Sequence, residues 1–353
     1  MKVAIVLFNL GGPDRPEAIQ PFLQNLFSDP AIIGAPGPIR WILARWISRK
    51  RAPIAKEIYK HLGGKSPLLG LTEDQARALE ADCQNSGDTY KAFIAMRYWH
   101  PMGDETAEAV KEFAPDKIVL LPLYPQFSTT TTGSSIDDWK RAAAKAGLNA
   151  PTAAICCYPD EPGFIDAMAN ATREAIEEAS KTGKPRVLFS AHGLPKKIVD
   201  GGDPYPGHVE QTAKAIADQL DVEGLDWVVC YQSRVGPLEW IGPATEDEIA
   251  RAGRDEVPIV MVPIAFVSEH SETLVELDIE YKELAEAAGA PSYTRVSTVC
   301  SAPSFIQGLK NLTLQACETI KEGDTGATVE ISSSKGGCIC PSSGTKCPNS
   351  KGV

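Results

Sequence analysis

The chain lacks any uninterrupted apolar run of the roughly 18 residues that a membrane-spanning helix needs, although 43% of its residues are hydrophobic. Nor does it open with a basic segment followed by a short apolar one, so a cytoplasmic protein is expected. Basic residues are in deficit: 35 Lys and Arg stand against 46 Asp and Glu, for a net charge of -11. That balance argues against a nucleic-acid partner, which calls for a basic surface that displaces counterions. Phosphate-loop motifs are missing too. Nothing matches a Walker A loop and no G-x-G-x-x-G follows a strand, so nucleotide chemistry has no support. Nine cysteines form an odd set in a chain with no export signal, which speaks against structural disulfides.

What is present alternates. Short apolar runs at 2–10, 92–98, 117–124, 153–158, 186–191, 227–231 and 258–267 read as buried strands. Amphipathic stretches such as 72–84, 163–182 and 208–220 are long enough to cross between them. Strand and helix in alternation predict an α/β fold with parallel sheets flanked by helices. The length suits two similar halves, divided near residue 160 into 1–160 and 161–325, with the last helix returning to the first half and a Cys-rich extension over 326–353.

The unusual residues all follow strands, where ligands of open α/β sheets bind. They are Asn9-Leu-Gly-Gly-Pro-Asp14, Arg97-Tyr-Trp-His-Pro101, Tyr124-Pro-Gln-Phe-Ser-Thr-Thr-Thr-Thr-Gly133, Ser190-Ala-His-Gly-Leu-Pro195, Gln232-Ser-Arg-Val-Gly236 and Ser268-Glu-His-Ser-Glu272. One cleft is expected to collect them. Within the hydroxyl-rich run, N-capping accounts for Ser134 or Ser135 but not for four consecutive threonines, and exposed hydroxyls near a helix start favour anions.

Residues 15–58 differ, with Phe22, Leu26, Ile39, Trp41, Ile42 and Trp46 followed by Arg49-Lys-Arg51. One reading is an amphipathic helical pair packed on the core. The other is a lid that offers apolar side chains to a greasy ligand or a membrane face and basic ones to carboxylates or lipid head groups.

His192 directly follows a strand, and an imidazole there can take a proton at neutral pH or bind a metal. Alone, such a histidine is more often structural; the strand-end position in a chain with five histidines shifts the balance toward function. Glu272, Glu276 and Glu280 fall on one helical face beside Glu269 and His270. Like charges four apart destabilise an exposed helix by about 0.2–0.5 kcal/mol per pair, so something should compensate. Either the face is simply solvated, or it is a carboxylate file passing protons or divalent cations to a buried site. Oxygen and imidazole ligands suit ferrous iron in transit, which thiolates would trap. Cys338, Cys340 and Cys347 cluster in Gly336-Gly-Cys-Ile-Cys-Pro-Ser-Ser-Gly-Thr-Lys-Cys-Pro-Asn349 without the partner pair of a zinc finger. Taken from spacing, an iron–sulfur cluster, a zinc site and a metal-free tail all remain open.

In order and content these segments resemble the ferrochelatase family, from Asn9-Leu-Gly-Gly-Pro13 through Ser190-Ala-His-Gly-Leu-Pro195 to Val262-Pro-Ile-Ala-Phe-Val-Ser-Glu-His-Ser-Glu-Thr-Leu274, with Glu269 where aspartate is common. The resemblance implies two Rossmann-like domains around a porphyrin cleft and a partly π-wound acidic helix. It implies insertion of Fe2+, itself a substrate, into protoporphyrin IX to give protohaem, the terminal step of haem biosynthesis. His192 and Glu272 become the central polar pair that handles iron and protons, with His270 and Glu276 beside them. Arg97, Tyr98, Tyr124, Ser128 and Thr130 become porphyrin-cleft residues, and Leu10 and Arg51 the lip that handles the macrocycle. Peripheral contact with the inner face of the cytoplasmic membrane and a homodimer are further expectations. The tail resembles that of [2Fe-2S]-bearing members, but departs from the animal pattern, whose upstream cysteine falls where this chain has Thr129. Cys157 is then the expected fourth ligand, followed by Cys156 and by Cys300 or Cys230. The competing functions are a chelatase for another tetrapyrrole, coproporphyrin or a cobalt-accepting type, and a porphyrin or iron–sulfur binding protein without catalysis.

Overall fold

A computed structural model describes residues 1–84, 87–321, 329–340 and 346–348. The apolar runs do become strands, because a sheet covered on both faces buries every residue of a strand and so selects continuous hydrophobicity. Strand β1 (Lys2–Asn9) is buried from Val3 onward. Beside it lie β2 (Thr89–Met96), β3 (Lys117–Pro122) and β4 (Thr152–Ile155), in the parallel order β2-β1-β3-β4. A second parallel sheet holds β5 (Arg186–His192), β6 (Asp226–Gln232) and β7 (Ile259–Pro263).

Two strands escaped the sequence reading. β8 (Tyr293–Arg295) extends the second sheet to β6-β5-β7-β8, and β9 (Val329–Ser332) extends the first beyond β4. Both are short, partly exposed edge strands, so neither carries a long apolar run. The expected strand at 258–267 stops at Pro263, since Ser190↔Pro263 is the last register pair and the chain then turns, Phe266 N–H bonding back to the Pro263 carbonyl at 3.2 Å. The run at 153–158 likewise ends at Ile155. Cys156 keeps one bond to the neighbouring segment, its N–H to the Ser332 carbonyl at 2.8 Å.

The chain divides into two compact units, Met1–Tyr158 with Leu309–Ile339 and Pro159–Gly308, and helix Pro303–Thr319 carries the chain from the second back into the first. In the first, Ala4, Val6, Phe8, Ile118 and Leu120 pack on Ile136 and Trp139 of helix Ser134–Ala146. In the second, Leu188, Cys230, Ile259 and Met261 pack on Ile249 and Ala252 of helix Thr245–Arg254 and on Leu277, Tyr281 and Ala285. The crossing of helices Thr245–Arg254 and Tyr281–Ala288 is close: a Cβ on Gly253 would stand 2.2 Å from the Ala288 carbonyl oxygen.

Segment 15–58 forms helices Ile19–Ser28 and Gly37–Lys60. Phe22 of the first packs with Ala18, Leu10, Tyr98 and Trp99. The second instead leaves Ile39, Trp41, Ile42, Trp46 and Ile54 between 53% and 61% exposed. Arg45 and Lys50 lie over the rings of Trp41 and Trp46, at 5.7 and 5.4 Å from their centroids.

Candidate active site

In the second unit, strand register assembles the polar residues. His192 ends β5 opposite Gln232, the last residue of β6. The His192 Nδ1 lies 2.6 Å from the Gly193 carbonyl oxygen, an atom that only accepts, so Nδ1 carries the proton. Nε2, the other ring nitrogen, lies 3.8 Å from Glu272 Oε1. Both side chains are about one-third exposed, at 38% and 32%. The expected imidazole–carboxylate pair therefore comes together.

After β7 the chain turns and starts a helical turn, Ser271–Leu274, capped by His270, whose Nδ1 accepts the Glu272 N–H at 2.9 Å. Burial holds the His270 imidazole below its ordinary pKa, against the pull of Glu272 and Glu269, and its ring meets Phe266 edge-on at 4.7 Å. The next turn, Glu276–Glu280, is π-wound, with Glu280 N–H reaching the Val275 carbonyl five residues back at 3.0 Å.

Compensation for the clustered carboxylates is visible group by group. Glu276 is held on Oε2 by Gln232 Nε2 at 3.1 Å and Ser233 Oγ at 2.5 Å, and on Oε1 by the Ser233 N–H at 2.8 Å and the Tyr281 hydroxyl at 3.1 Å. Ser233 donates from a left-handed backbone, φ +59°. Even so, burial and then the charge of Glu272 push the Glu276 carboxyl up from its ordinary pKa. Gln232 is oriented in turn: its Oε1 accepts from Ser190 Oγ at 2.8 Å, and its Nε2 also reaches the Glu272 carbonyl at 3.0 Å.

Glu269 behaves oppositely. Burial would raise it, but Arg295 outweighs that and holds it below the usual carboxylate range, aided by Thr273 and the Thr298 N–H. Arg295 reaches Glu269 at 2.7 Å and clasps Asp278 of the π turn with Nε and Nη2, at 2.6 and 2.7 Å. One guanidinium so ties the loop before His270 to the acidic turn.

In the first unit, Arg97 follows β2 and pairs with Asp29 at 2.9 Å, while its Nε donates to Ser134 Oγ at 2.7 Å. The Tyr98 hydroxyl also donates to Asp29, at 2.8 Å, and burial keeps that phenol far above its ordinary pKa. Asp29, 3% exposed, is the hub that the sequence reading missed. Ser128 and Thr130 are buried and bond to each other at 2.8 Å, Ser128 capping the π-wound turn Thr129–Gly133. Among the described residues, the buried hydroxyls of Thr131 and Thr132 have no hydrogen-bond partner. Tyr124 is part-buried against the cluster around Phe8 and Trp139, Leu10 packs beside Tyr98, and Arg51 is half-buried on helix Gly37–Lys60.

The sulfurs of Cys338, Cys340 and Cys347 lie within 4.8 Å of one another, a spacing able to hold a metal centre. Cys157 is buried, its carbonyl accepts the Ser334 N–H at 3.0 Å, and Ile339 packs on the cluster of Phe127, Cys156 and Cys157.

The chain is similar to known proteins along nearly its whole length. A family model described as Ferrochelatase matches residues 2–317. Curated proteins named Ferrochelatase from Caulobacter vibrioides and Phenylobacterium zucineum are 54% and 52% identical, covering 100% and 98% of this chain and 99% and 100% of theirs. One from Pelagibacter ubique is 48% identical over 99% of the chain and 98% of its own length. Among solved structures, SirB from Bacillus subtilis with Fe3+ shares the fold at TM-score 0.51 and 15% identity, over 90% of this chain and 97% of that one.

The Arg295 clasp gives a prediction with a defined sign. Glu269 has a lowered folded pKa, so its contribution is present above the unfolded value, near 4.5, and is lost as pH falls through the folded one. Arg295→Met should destabilise the chain by about 3–5 kcal/mol at neutral pH by stranding buried carboxylate charge. The deficit in urea unfolding should shrink on acidification below the ordinary carboxylate range; a deficit independent of pH would show that charge pairing is not its source.

Proposed function

The chain belongs to the ferrochelatase family, and from that premise we propose how its own residues put ferrous iron into protoporphyrin IX to form protohaem. The enzyme is a metal chelatase, and the chemistry fixes what its site must do. Two pyrrole N–H protons have to leave as the divalent ion enters. A flat macrocycle also hides its nitrogen lone pairs, so a site that favours a buckled ring converts binding energy into rate.

The observation that carries the assignment is the His192 tautomer. With Nδ1–H committed to Gly193, Nε2 is the basic atom, and it faces Glu272. His192 Nε2 takes a pyrrole proton, Glu272 stabilises the imidazolium and accepts the proton, and Glu276 receives it next. A carboxyl raised by burial suits that last role, because it holds a proton nearer neutral pH than a solvated one does. His270 fixes the Glu272 backbone. On the first unit, Leu10, Arg51, Arg97, Tyr98, Tyr124, Ser128 and Thr130 are the residues we assign to the macrocycle. The buried bonds that Arg97 and Tyr98 make to Asp29 hold these two side chains in place.

Two finer readings go with this one. Cys338, Cys340 and Cys347 would supply three thiolates of a [2Fe-2S] cluster, supported by the close sulfur triad, and Cys157 is the fourth ligand we assign, supported by Ile339 packing beside it. Since metal insertion transfers no electron, such a cluster supplies cross-linking of the tail or a response to iron and redox state. The exposed face of helix Gly37–Lys60 fits an anionic lipid surface: its indoles and isoleucines stand out beside Arg45 and Lys50, and Glu57 is the helix's one acidic residue.

His192→Ala and Glu272→Gln should each lower anaerobic iron insertion, followed at the Soret band, by about 10²-fold or more while leaving thermal stability and porphyrin binding near wild type. Full activity in both variants would refute the mechanism. Cys157→Ser should abolish the visible absorption of freshly purified protein, and Cys300→Ser should retain it; colour preserved in the first would exclude Cys157. Trp41→Ser with Trp46→Ser should release the enzyme from vesicles containing phosphatidylglycerol, and equal flotation of variant and wild type would sink the lipid reading.

A further inference from the structure

Two protons must leave the site for every iron inserted, and the spacing of Glu272, Glu276 and Glu280 suggests an exit along one helical face to exposed Glu280. The Glu276 carboxylate is turned elsewhere. Its hydrogen-bond partners are Gln232, Ser233 and the hydroxyl of Tyr281, and among the described residues none joins it to Glu280. Tyr281 is 4% exposed, packed in the core with Ile249 and Ala252 of helix Thr245–Arg254. The first turn of that helix carries Glu246. Its charge helps to raise the Tyr281 phenol, and among the described residues its Oε2 is buried without a hydrogen-bond partner. A phenol, able both to donate and to accept, thus bonds Glu276 and packs on the helix whose first turn carries Glu246.

We propose that Glu276, the Tyr281 hydroxyl and Glu246 form a proton exit that leaves the acidic helix sideways, through the neighbouring helix. It rests on the site reading above, in which Glu276 receives the pyrrole protons. When Glu276 is protonated, its O–H bond breaks as the proton passes to Tyr281 Oη, and the original phenolic O–H breaks as its proton passes to Glu246. Tyrosine ends the step neutral with a new proton, Glu276 ends it ionised, and Glu246 ends it as the acid. Glu246 is only partly buried, so it can release the proton to water. The phenol never ionises, in keeping with burial and the charges of Glu276 and Glu246, which push its ionisation far above the ordinary range. The unpartnered Glu246 oxygen gives the arriving proton a place to rest. The Ser233 and Gln232 bonds keep the Glu276 carboxylate aimed along this line.

The test uses the full chain. Tyr281→Phe, which keeps the ring in the core, and Glu246→Gln should each lower kcat for iron insertion about tenfold or more, with KM for iron and for protoporphyrin held within about twofold. The double variant should be no slower than the slower single one, because both act on one line. Added formate should restore kcat of Glu246→Ala in proportion to its concentration, a readout that lost packing would not move. Unchanged kcat in Tyr281→Phe and Glu246→Gln overturns the proposal. So does a loss that formate does not relieve, which assigns these residues to packing. His192→Ala run in parallel separates the two levels. If it stays active the site reading fails, and if it loses activity while the Tyr281 and Glu246 variants keep theirs, only the sideways exit fails.

Discussion

The hydrogen bond between His192 Nδ1 and the Gly193 carbonyl decides the chemistry of the second unit, because it determines which nitrogen can act as a base. That bond exists only where β5 stops and the backbone turns. Strand register then does the rest: His192 pairs with Gln232 at the shared end of β5 and β6, and Gln232 reaches both the Glu272 carbonyl and the Glu276 carboxylate. Two strand ends and one helical segment are joined by side chains whose positions follow from parallel pairing.

Around that centre, neighbouring carboxylates are driven apart in proton affinity. Glu276 is raised by burial and by Glu272, whereas Glu269 is lowered because Arg295 outweighs its burial. A group that holds a proton readily and one that stays ionised thus stand on either side of His270. The wide turn Glu276–Glu280 belongs to the same arrangement, since Asp278 on it meets the guanidinium that anchors Glu269.

Much of this was legible in the sequence. The apolar runs gave the strands that carry His192, Gln232 and the acidic segment, since parallel sheets write themselves as continuous hydrophobicity. The edge strands β8 and β9 were not legible, being three and four residues long and partly exposed. The pairing of His192 with Glu272 followed from motif order and family resemblance, but its tautomer needed the Gly193 carbonyl in place. Asp29 left no trace. A single aspartate before a proline becomes important only where Arg97, Tyr98 and Ser134 converge on it in three dimensions. Ser233 stood inside a motif without an evident task, because its role comes from a left-handed backbone that sequence does not announce.

Strand β9 has a consequence of its own. It pairs with β4 from Thr152↔Val329 to Ile155↔Ser332, covering the outer edge of a strand that is buried along its whole length. Shorn of that cover, Thr152–Ile155 would present open backbone donors and acceptors on a greasy ribbon, the kind of margin along which chains stack into aggregates. The segment leading to the cysteines therefore shields the backbone edge of β4 in the first sheet.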